Sequence, residues 1–375
     1  MRVLLLTETC HLGGAEVMIR NLALELRARG HAVGLVAPSN GGDWLHGEMK
    51  RDGFPVWLFE LRGAVNPDIV QTIRRAIAEF RPDVMHSHLW VMAAYGGAVA
   101  SLARIPHVIT MHGDGEQTRF LRRRVALRFA FARARGVVAV SAAMRDDLAQ
   151  SLGIPASRML VVPNGSSFPK GDRTLVRREL SIGADEFVAV CIGSQIARKN
   201  HIVALQAMAR LSGEAPWRLL VAGPTGDATA TLADAARRLG VSAHFHNLGP
   251  RRDVPDLLAA SDVYLMPSLW EGMPVALVEA MGSGVPIVAS GVGGIPDMIG
   301  DGLEGAILSD PTNAGDLAGI IERLRGDDTL RHGIAARARQ KALAVYGAAA
   351  MADAYLDLFQ GKLDTHEHTT SLRAS

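Results

Sequence analysis

Residues 261–290 read SDVYLMPSLWEGMPVALVEAMGSGVPIVAS and carry a strand, a helix and a second strand in succession. The runs SDVYLMPS and VPIVAS predict buried strands, because their central residues are continuously apolar. The run PVALVEAM predicts a helix, with Pro274 in its first turn and Gly282 and Gly284 at its end. Near-continuous apolar strands separated by helices indicate a parallel sheet that is covered on both faces.

The same alternation extends through most of the 375 residues. A chain of this length exceeds what one hydrophobic core usually supports, so we expect two domains. The fold class is therefore α/β, with doubly wound sheets. Further apolar runs predict additional strands at RVLLLT, HAVGLVA, PDVMHSH, IPHVITMH, GVVAVS, EFVAVCIGS, WRLLVAG and VSAHFHNLG.

The strand pattern stops at residues 165–185, where glycine, proline and charged residues replace it. We place a linker there and expect one domain over residues 1–168 and a second over 169–344. After about residue 310 the pattern becomes helical, and KALAVYGAAAMADAYLDLFQ predicts one final helix. The polar tail, residues 361–375, is expected to be disordered.

Composition argues against several functional classes. The formal net charge of +2 gives no general attraction to nucleic acid. Cys10 and Cys191 match no metal-ligand spacing and indicate free thiols in a reducing, cytoplasmic compartment. No apolar run reaches the length of a membrane span, so the chain is expected to be soluble or peripheral.

Unusual residues gather in the loops that follow the predicted strands. Ligands of open parallel sheets bind beyond the carboxyl ends of the strands, so these loops mark the expected site. Two such edges facing each other across a cleft would place that site between the domains. The loops are TETCHLGGAE, MHGDGEQ, SQIARKN, GPTGD, GPRRD and SLWEGMP.

Glu271 and Glu279 bracket the predicted start of the helix in PVALVEAM. A carboxylate accepts hydroxyl protons, so each could hold a diol of a sugar, and the amides of Gly272, Met273 and Val275 could receive an anion. The alternative is structural: Glu271 complements the helix dipole and Glu279 pairs with a cation. The two glutamates alone do not decide between these interpretations.

Arg198 and Lys199 stand where another helix begins, which is an unfavourable place for cations unless an anion is bound. We therefore predict a diphosphate held by both side chains, with a solvated basic loop as the alternative. Gly13 and Gly14 directly precede a long helix and would let the backbone approach a ligand closely.

Three histidines lie at strand ends. His86 and His88 are expected to be ordinary hydrogen-bonded side chains, although a metal site is the alternative. His112 has Gly113 and Gly115 beside it and is the better candidate for substrate contact. The chain has no D-x-D triplet, so we expect no metal cofactor, and cationic side chains would neutralise a diphosphate instead.

The most basic stretch, RFLRRRVALRFAFARARG at residues 119–136, predicts a helix with two apolar stripes and arginines between them. A helix that lies on a membrane surface should have one apolar face and one broad basic face. We therefore favour a packed helix with a solvated arginine ridge over membrane docking. The stripes are Phe120, Leu127 and Phe131, and Leu121, Val125 and Phe129.

The chain resembles the retaining glycosyltransferases of family 4, also called glycosyl transferases group 1. The resemblance is carried by LGGAE, TMHG, VVAVSAAMRDDL, VVPNG, IGSQIARKN, the block of residues 248–290 and GGIPD. It implies the GT-B fold, in which two facing Rossmann-like domains enclose an interdomain cleft. It also implies that the first domain binds most of the acceptor, that the second binds a nucleotide-sugar without metal, and that a helix at about 345–360 crosses back onto the first domain.

The resemblance also assigns roles to single residues. Glu279 should accept ribose hydroxyls, Glu271 should hold hydroxyls of the donor sugar, and Arg198 and Lys199 should neutralise the diphosphate. His112 should lie beside the transferring sugar. The remaining donor-binding positions are Gly13, Gly14, Gly193, Ser194, Leu248, Gly272, Met273, Pro274 and Val275.

Two positions depart from the family pattern. Asp297 stands where glutamate is more usual, and Ser194 occupies a place often held by arginine. The second departure puts more of the diphosphate's neutralisation on Arg198 and Lys199. The resemblance implies hexose transfer with retention, from a UDP-sugar or next a GDP-sugar, to a glycan or lipid-linked acceptor in bacterial cell-surface polysaccharide or glycolipid synthesis. A nucleotide-sugar epimerase and a non-catalytic nucleotide-sugar-binding protein are the alternatives.

Overall fold

A computed structural model describes residues 1–62, 66–113, 120–211, 216–300 and 303–363. The chain forms two compact units. The first comprises Met1–Gly165 together with the chain from Ala348 onward, and the second comprises Ser166–Gly347. The tail for which the sequence predicts disorder lies, from residue 364, outside the described residues.

The first unit is built on a seven-stranded sheet in which all neighbouring strands pair in parallel. Its strands are β1 (Arg2–Leu6), β2 (Ala32–Pro38), β3 (Val56–Phe59), β4 (Val84–His88), β5 (His107–Met111), β6 (Gly136–Ala139) and β7 (Leu160–Val161). Their spatial order is β3-β2-β1-β4-β5-β6-β7. The connecting helices are α1 (Gly14–Ala28), α2 (Trp44–Arg51), α3 (Pro67–Phe80), α4 (Trp90–Ala103), α5 (Leu121–Arg133) and α6 (Ala142–Leu152).

The second unit repeats this architecture on a six-stranded parallel sheet. Its strands are β8 (Phe187–Ile192), β9 (Trp217–Ala222), β10 (Phe245–Gly249), β11 (Val263–Met266), β12 (Ile287–Ser290) and β13 (Ala306–Leu308). Their order is β10-β9-β8-β11-β12-β13. The helices are α7 (Arg173–Glu179), α8 (His201–Met208), α9 (Thr229–Arg238), α10 (Val254–Ala260), α11 (Val275–Ser283), α12 (Ile295–Met298), α13 (Ala314–Gly326) and α14 (Asp328–Val345).

The central strands are buried along their whole length, which confirms the predicted α/β class. Every residue of β4, β5 and β12 is buried, because helices cover both faces of each sheet. The segment at residues 261–290 forms β11, α11 and β12, as its pattern predicts.

Three strands escaped the sequence analysis, and all three lie at the edge of a sheet. β3 and β7 end the first sheet, and β13 ends the second. Edge strands of two to four residues bury little apolar area, so they leave only a short apolar run in the sequence.

The predicted linker at residues 165–185 is wrong in extent. The chain passes from the first unit to the second at Gly165 and Ser166, whereas the sequence analysis ended the first domain at residue 168. The following residues fold into the second unit, where α7 packs against α10. Arg177 in α7 is buried and pairs with Asp262 at 2.9 Å, so the charge that suggested a linker holds this helix in place.

The prediction of one continuous final helix over KALAVYGAAAMADAYLDLFQ is also wrong. α14 ends at Val345, and a separate helix, α15 (Ala348–Phe359), begins after Tyr346 and Gly347. Ser166 interrupts the helix by pairing with Gly347 in a parallel bridge, in which its amide donates to the carbonyl of Tyr346 at 3.0 Å. α15 belongs to the first unit, where the Tyr355 hydroxyl lies 2.9 Å from Thr110 Oγ1. Among the described residues, no helix has both the length and the apolar character needed to cross a bilayer.

Candidate active site

The loop after β8 brings two predicted cations to the carboxyl edge of the second sheet. Residues Ala197–Lys199 form a 3₁₀ turn directly before α8. Gly193 has φ +152°, a backbone conformation that favours glycine, and it lies beside the Lys199 side chain. The exposed Arg198 guanidinium lies 5.3 Å from the centre of the Trp270 ring.

Lys199 and Glu271 form a buried ion pair. Lys199 Nζ donates to Glu271 Oε1 at 2.6 Å, and the two side chains are 16% and 6% exposed. An ammonium group has three N–H donors and a carboxylate has two acceptor oxygens, so neither group is saturated by this contact. The arrangement leaves Lys199 able to donate to a phosphate and Glu271 able to accept from a hydroxyl.

The glycine pair of the GGIPD motif holds the backbone of Glu271 in place. The Gly294 amide donates to the carbonyls of Glu271 at 3.3 Å and Gly272 at 3.1 Å. Gly293 has φ +54°, and a Cβ there would overlap the Glu271 carbonyl oxygen. Only glycine fits such a close approach, so this motif fixes the position of the Glu271 backbone.

Glu279 lies on α11 and is half-buried. Burial raises the pKa of Glu279 to about 7, although a hydrogen bond from Ser166 Oγ at 3.5 Å opposes the shift. Pro274 is the N-cap of α11 rather than a residue of its first turn, so the helix begins at Val275. Gly272, Met273, Pro274 and Val275 are all buried between the two glutamates.

A reciprocal amide pair connects two other loops of this edge. Gln195 Nε2 donates to Asn247 Oδ1 at 2.7 Å, and Asn247 Nδ2 donates back to Gln195 Oε1 at 2.9 Å. Gln195 is completely buried. The pair fixes the loop that carries Ser194 against β10, which carries Leu248.

In the first unit, Gly13 is the N-cap of α1, and Gly14 is the first residue of the helix rather than a residue before it. Glu16, in the first turn, is 2% exposed, and its Oε1 atom has no hydrogen-bond partner among the described residues. His11 Nε2 lies 3.9 Å from this oxygen. A carboxylate therefore lies buried beside the glycine loop.

Glu8 is a second carboxylate at this edge, in the loop after β1. Its Oε2 accepts from the amides of Val91 at 2.5 Å and Met92 at 3.2 Å, so it caps α4. Burial nevertheless raises the pKa of Glu8 to about 7, against the opposing effects of the amides and of Arg123. Leu89, the N-cap of α4, has φ +69°, a conformation that leucine seldom adopts.

His86 and His88 are buried in β4, and His112 is half-buried directly after β5. His88 Nδ1 lies 3.0 Å from His112 Nε2, and His86 Nε2 lies 2.8 Å from Thr110 Oγ1, which confirms the predicted hydrogen-bonded histidines. Burial lowers the pKa of His112 to about 4, so its ring is neutral near pH 7. Within the described ranges, no group of three His, Cys, Asp or Glu side chains has metal-binding geometry.

Comparison with protein-family models matches the two units separately. Residues 12–166 match Glycosyltransferase Family 4, and residues 172–341 match Glycosyl transferases group 1. The two matches together span most of both units. The chain belongs to the family 4 type of glycosyltransferases.

Named relatives agree with this assignment. The glycosyltransferase is 27% identical to a D-inositol 3-phosphate glycosyltransferase of Corynebacterium kroppenstedtii over 85% of this chain and 79% of that protein. It is 27% identical to an alpha-maltose-1-phosphate synthase of Mycolicibacterium smegmatis over 93% of this chain and 95% of that protein. For a third relative, from Nocardia farcinica, the match spans 60% of its length at 29% identity.

Solved structures share the fold. Anabaena Alr3699/HepE, in complex with UDP and glucose, superimposes with a TM-score of 0.84 at 24% identity, over 96% of this chain and 99% of that one. WaaG, a glycosyltransferase involved in lipopolysaccharide biosynthesis, gives 0.73 at 18% identity, over 96% and 100%. The Rossmann-like units of this glycosyltransferase are therefore those of the GT-B fold.

The structure gathers most of the predicted residues at the carboxyl edge of the second sheet. Arg198, Lys199 and Glu271 lie in one cluster around Gly193, and Glu279 follows on α11. Gly13, Gly14 and His112 belong to the first unit. The roles of these residues stay predictions.

Sequence analysis missed several polar groups that hold the loops of the two units. Gln195 and Asn247 stand in the loops already singled out, yet nothing in their spacing shows that they pair. Ser166 falls in the supposed linker. Glu8 lies two residues after the first strand, and its position at a strand end is the signal that could have found it.

Proposed function

We propose that this glycosyltransferase moves a hexose from a nucleotide-sugar to a hydroxyl group of a glycan or glycolipid, with retention of configuration and without a metal. UDP-sugar is the favoured donor and GDP-sugar the next. The observation that carries the proposal is the buried Lys199–Glu271 pair beside Arg198, because it offers cations for a diphosphate and a carboxylate for a sugar at one place.

Charge development during transfer explains why the cations matter. As the bond from C1 of the sugar to the diphosphate oxygen breaks, the electron pair goes to the leaving diphosphate and the sugar becomes oxocarbenium-like. Fixed cations at Arg198 and Lys199 stabilise that leaving group. Glu271 holds the sugar hydroxyls, so it acts as a positioning carboxylate and not as a nucleophile.

Retention requires the acceptor oxygen to bond C1 on the face from which the diphosphate departs. In the proposed step the departing phosphate oxygen takes the proton of the acceptor hydroxyl, so no side chain has to act as the base. His112, neutral near pH 7, would contact the transferred sugar through hydrogen bonds.

One similarity favours a UDP-sugar donor. Alr3699/HepE, which has the same fold, was solved with UDP and with UDP-glucose. Gln195 and Asn247 fix the loop ends around Leu248, where the base of the nucleotide would lie. We propose only a general acceptor class, a glycan or glycolipid, because the named relatives differ. One is a D-inositol 3-phosphate glycosyltransferase, and another is an alpha-maltose-1-phosphate synthase. We place the reaction in cytoplasmic assembly of bacterial cell-surface glycans.

Thermal unfolding with UDP, GDP, ADP and their hexose conjugates, all in EDTA, tests the donor. A nucleotide present at 100 times its Kd should stabilise the protein by about 2.7 kcal/mol, and we expect only the UDP series to do so. Anomeric proton NMR of the product then tests retention. Failure of every nucleotide to stabilise the protein would contradict the donor site, and a free 2-epimer formed without acceptor would identify an epimerase.

A further inference from the structure

His112 is hydrogen-bonded to a second histidine that lies deeper in the first unit. His88 is the last residue of β4, and its Nδ1 lies 3.0 Å from His112 Nε2. The two ring planes are inclined by 25° and the ring centres lie 5.2 Å apart, so an N–H of one ring can point at the lone pair of the other. His88 is completely buried, so only protein atoms surround it.

The ring of His88 rests on a base that α15 completes. The ring of His86 lies against it, with the two centres 4.1 Å apart. His86 Nε2 is 2.8 Å from Thr110 Oγ1, which is in turn 2.9 Å from the hydroxyl of Tyr355. These contacts restrict how His88 can turn, so its Nδ1 stays directed at His112.

Both rings of the pair are neutral near pH 7. Burial lowers the pKa of His88 well below its ordinary value, and it lowers that of His112 to about 4. A neutral imidazole has one N–H donor and one acceptor nitrogen, and the partner of one nitrogen decides where the hydrogen lies. The contact between His88 and His112 therefore couples the tautomers of the two rings.

Two arrangements of the hydrogens fit this contact. If His112 donates from Nε2, the hydrogen of His88 lies on its own Nε2, which is buried and has no hydrogen-bond partner among the described residues.

If His88 donates from Nδ1 instead, the hydrogen of His112 lies on Nδ1. That atom also lacks a partner in the described part of the chain, but His112 follows the carboxyl end of β5, where a ligand can supply an acceptor. Because a buried N–H without an acceptor is costly, the second arrangement is favoured: its N–H finds a partner once a ligand is bound.

We propose that His88 is a positioning residue, which donates from Nδ1 to His112 Nε2 and so keeps the hydrogen of His112 on Nδ1. His112 then offers an N–H donor, rather than an acceptor nitrogen, to an oxygen of the bound sugar. The inference rests on the proposed function for the identity of that ligand. The tautomer itself belongs to the free protein and can be measured without any substrate.

Nitrogen-15 NMR of protein labelled at its histidines measures the tautomer directly. Couplings between the ring nitrogens and the carbon-bound ring hydrogens differ between the two tautomers, and the signals of His112 are assigned by their loss in His112→Gln. We expect the hydrogen on Nδ1 in the wild type and a mixture of both tautomers in His88→Leu. His88→Asn should restore the wild-type form, because its amide can donate from about the same position.

His107→Leu is the matched control. His107 is also a buried histidine of the first sheet, but it lies at the opposite end of β5, where its Nε2 is 2.8 Å from Ser87 Oγ. Its loss should leave the tautomer of His112 unchanged. Thermal unfolding of His88→Leu and His107→Leu shows whether the two variants are folded and similarly destabilised.

Release of UDP from UDP-glucose tests whether the tautomer matters for the reaction. His88→Leu should lower kcat by about tenfold, because one hydrogen bond to the sugar is weakened, and His88→Asn should stay within about threefold of the wild type. His107→Leu should leave kcat unchanged. UDP alone, which has no sugar, should bind His88→Leu and the wild type equally.

Two results would overturn the inference. The first is a hydrogen on Nε2 of His112 in the wild type. The second is a loss of kcat that is equal in His88→Leu and His107→Leu, since that would reflect stability alone. Absence of UDP release by a wild type that has the Nδ1–H form would instead contradict the proposed function and leave the tautomer assignment standing.

Discussion

Lys199 Nζ lies 2.6 Å from Glu271 Oε1, so the two residues predicted to bind different parts of a sugar nucleotide are bonded to each other. The pair holds a buried carboxylate against a partly buried cation. It also predicts that stability and activity respond differently to substitutions at this place.

Loss of one partner should destabilise the protein. Lys199→Met leaves the Glu271 carboxylate buried without its cation, so we expect the free energy of unfolding to fall by about 3 kcal/mol. The double variant Lys199→Met/Glu271→Gln removes both charges and should recover most of that loss. Urea unfolding of the two variants measures the difference. Equal losses in the single and double variants would show that the ion pair does not stabilise the fold.

Arg198 should affect activity without affecting stability. Its side chain is exposed, so Arg198→Met should change the free energy of unfolding by less than about 0.5 kcal/mol. The same change should lower kcat/KM by about 100-fold, because a fixed cation is lost from the leaving diphosphate. Lys170→Met, at an exposed lysine before α7, is the control and should leave kcat/KM unchanged. A loss below about threefold in Arg198→Met would contradict the diphosphate role.

Glu279 should make stability depend on pH. Its folded pKa of about 7 lies above the ordinary 4.5, so the folded state holds this proton more tightly than the unfolded state does. The stability associated with the proton is complete below pH 4.5 and is lost as the pH rises through 7. In urea unfolding, Glu279→Gln should therefore be more stable than wild type by about 3 kcal/mol at pH 8 and should match it at pH 4. A constant difference at the two pH values would contradict the shift.

The same carboxylate should make donor binding depend on pH. Ribose hydroxyls donate hydrogen bonds, and the ionised form of Glu279 accepts them better than the protonated form does. Calorimetry should find that UDP affinity falls faster below pH 7 in wild type than in Glu279→Gln. The variant also controls for protonation of UDP itself. Parallel pH profiles for the two proteins would argue against a ribose contact at Glu279.

Gly293 should tolerate no side chain. Gly293→Ala would force a Cβ into the Glu271 carbonyl oxygen at a positive φ, so we expect a loss of about 3 kcal/mol in stability together with weaker donor binding. Gly319→Ala on α13 is the matched control, because a Cβ there meets nothing within 4 Å. The control should be neutral or slightly stabilising. Similar stabilities for the two variants would show that the loop yields to the added methyl group.

The amino-acid sequence by itself determined the class of fold. Apolar runs such as VYLM and VPIVAS leave a clear signal, because a strand covered on both faces must be apolar at nearly every position. A second rule, that ligands bind beyond the carboxyl ends of parallel strands, singled out the loops that carry Arg198, Lys199 and Glu271. Strand order left no such signal, and β3, β7 and β13 were missed because they are edge strands of only two to four residues.

Tertiary structure alone decided which side chains meet. Lys199 and Glu271 are 72 residues apart, and Gln195 and Asn247 are 52 apart, so no local period connects them. Ser166 and Gly347 are far apart in the sequence, yet they pair in a parallel bridge. In α5 the two stripes look equivalent in sequence, and only packing against the rest of the unit determines that Leu127 is buried and Val125 is exposed. The local sequence determines which face of its own helix or strand a side chain occupies. Which side chain it contacts depends on how elements distant in the sequence pack against each other.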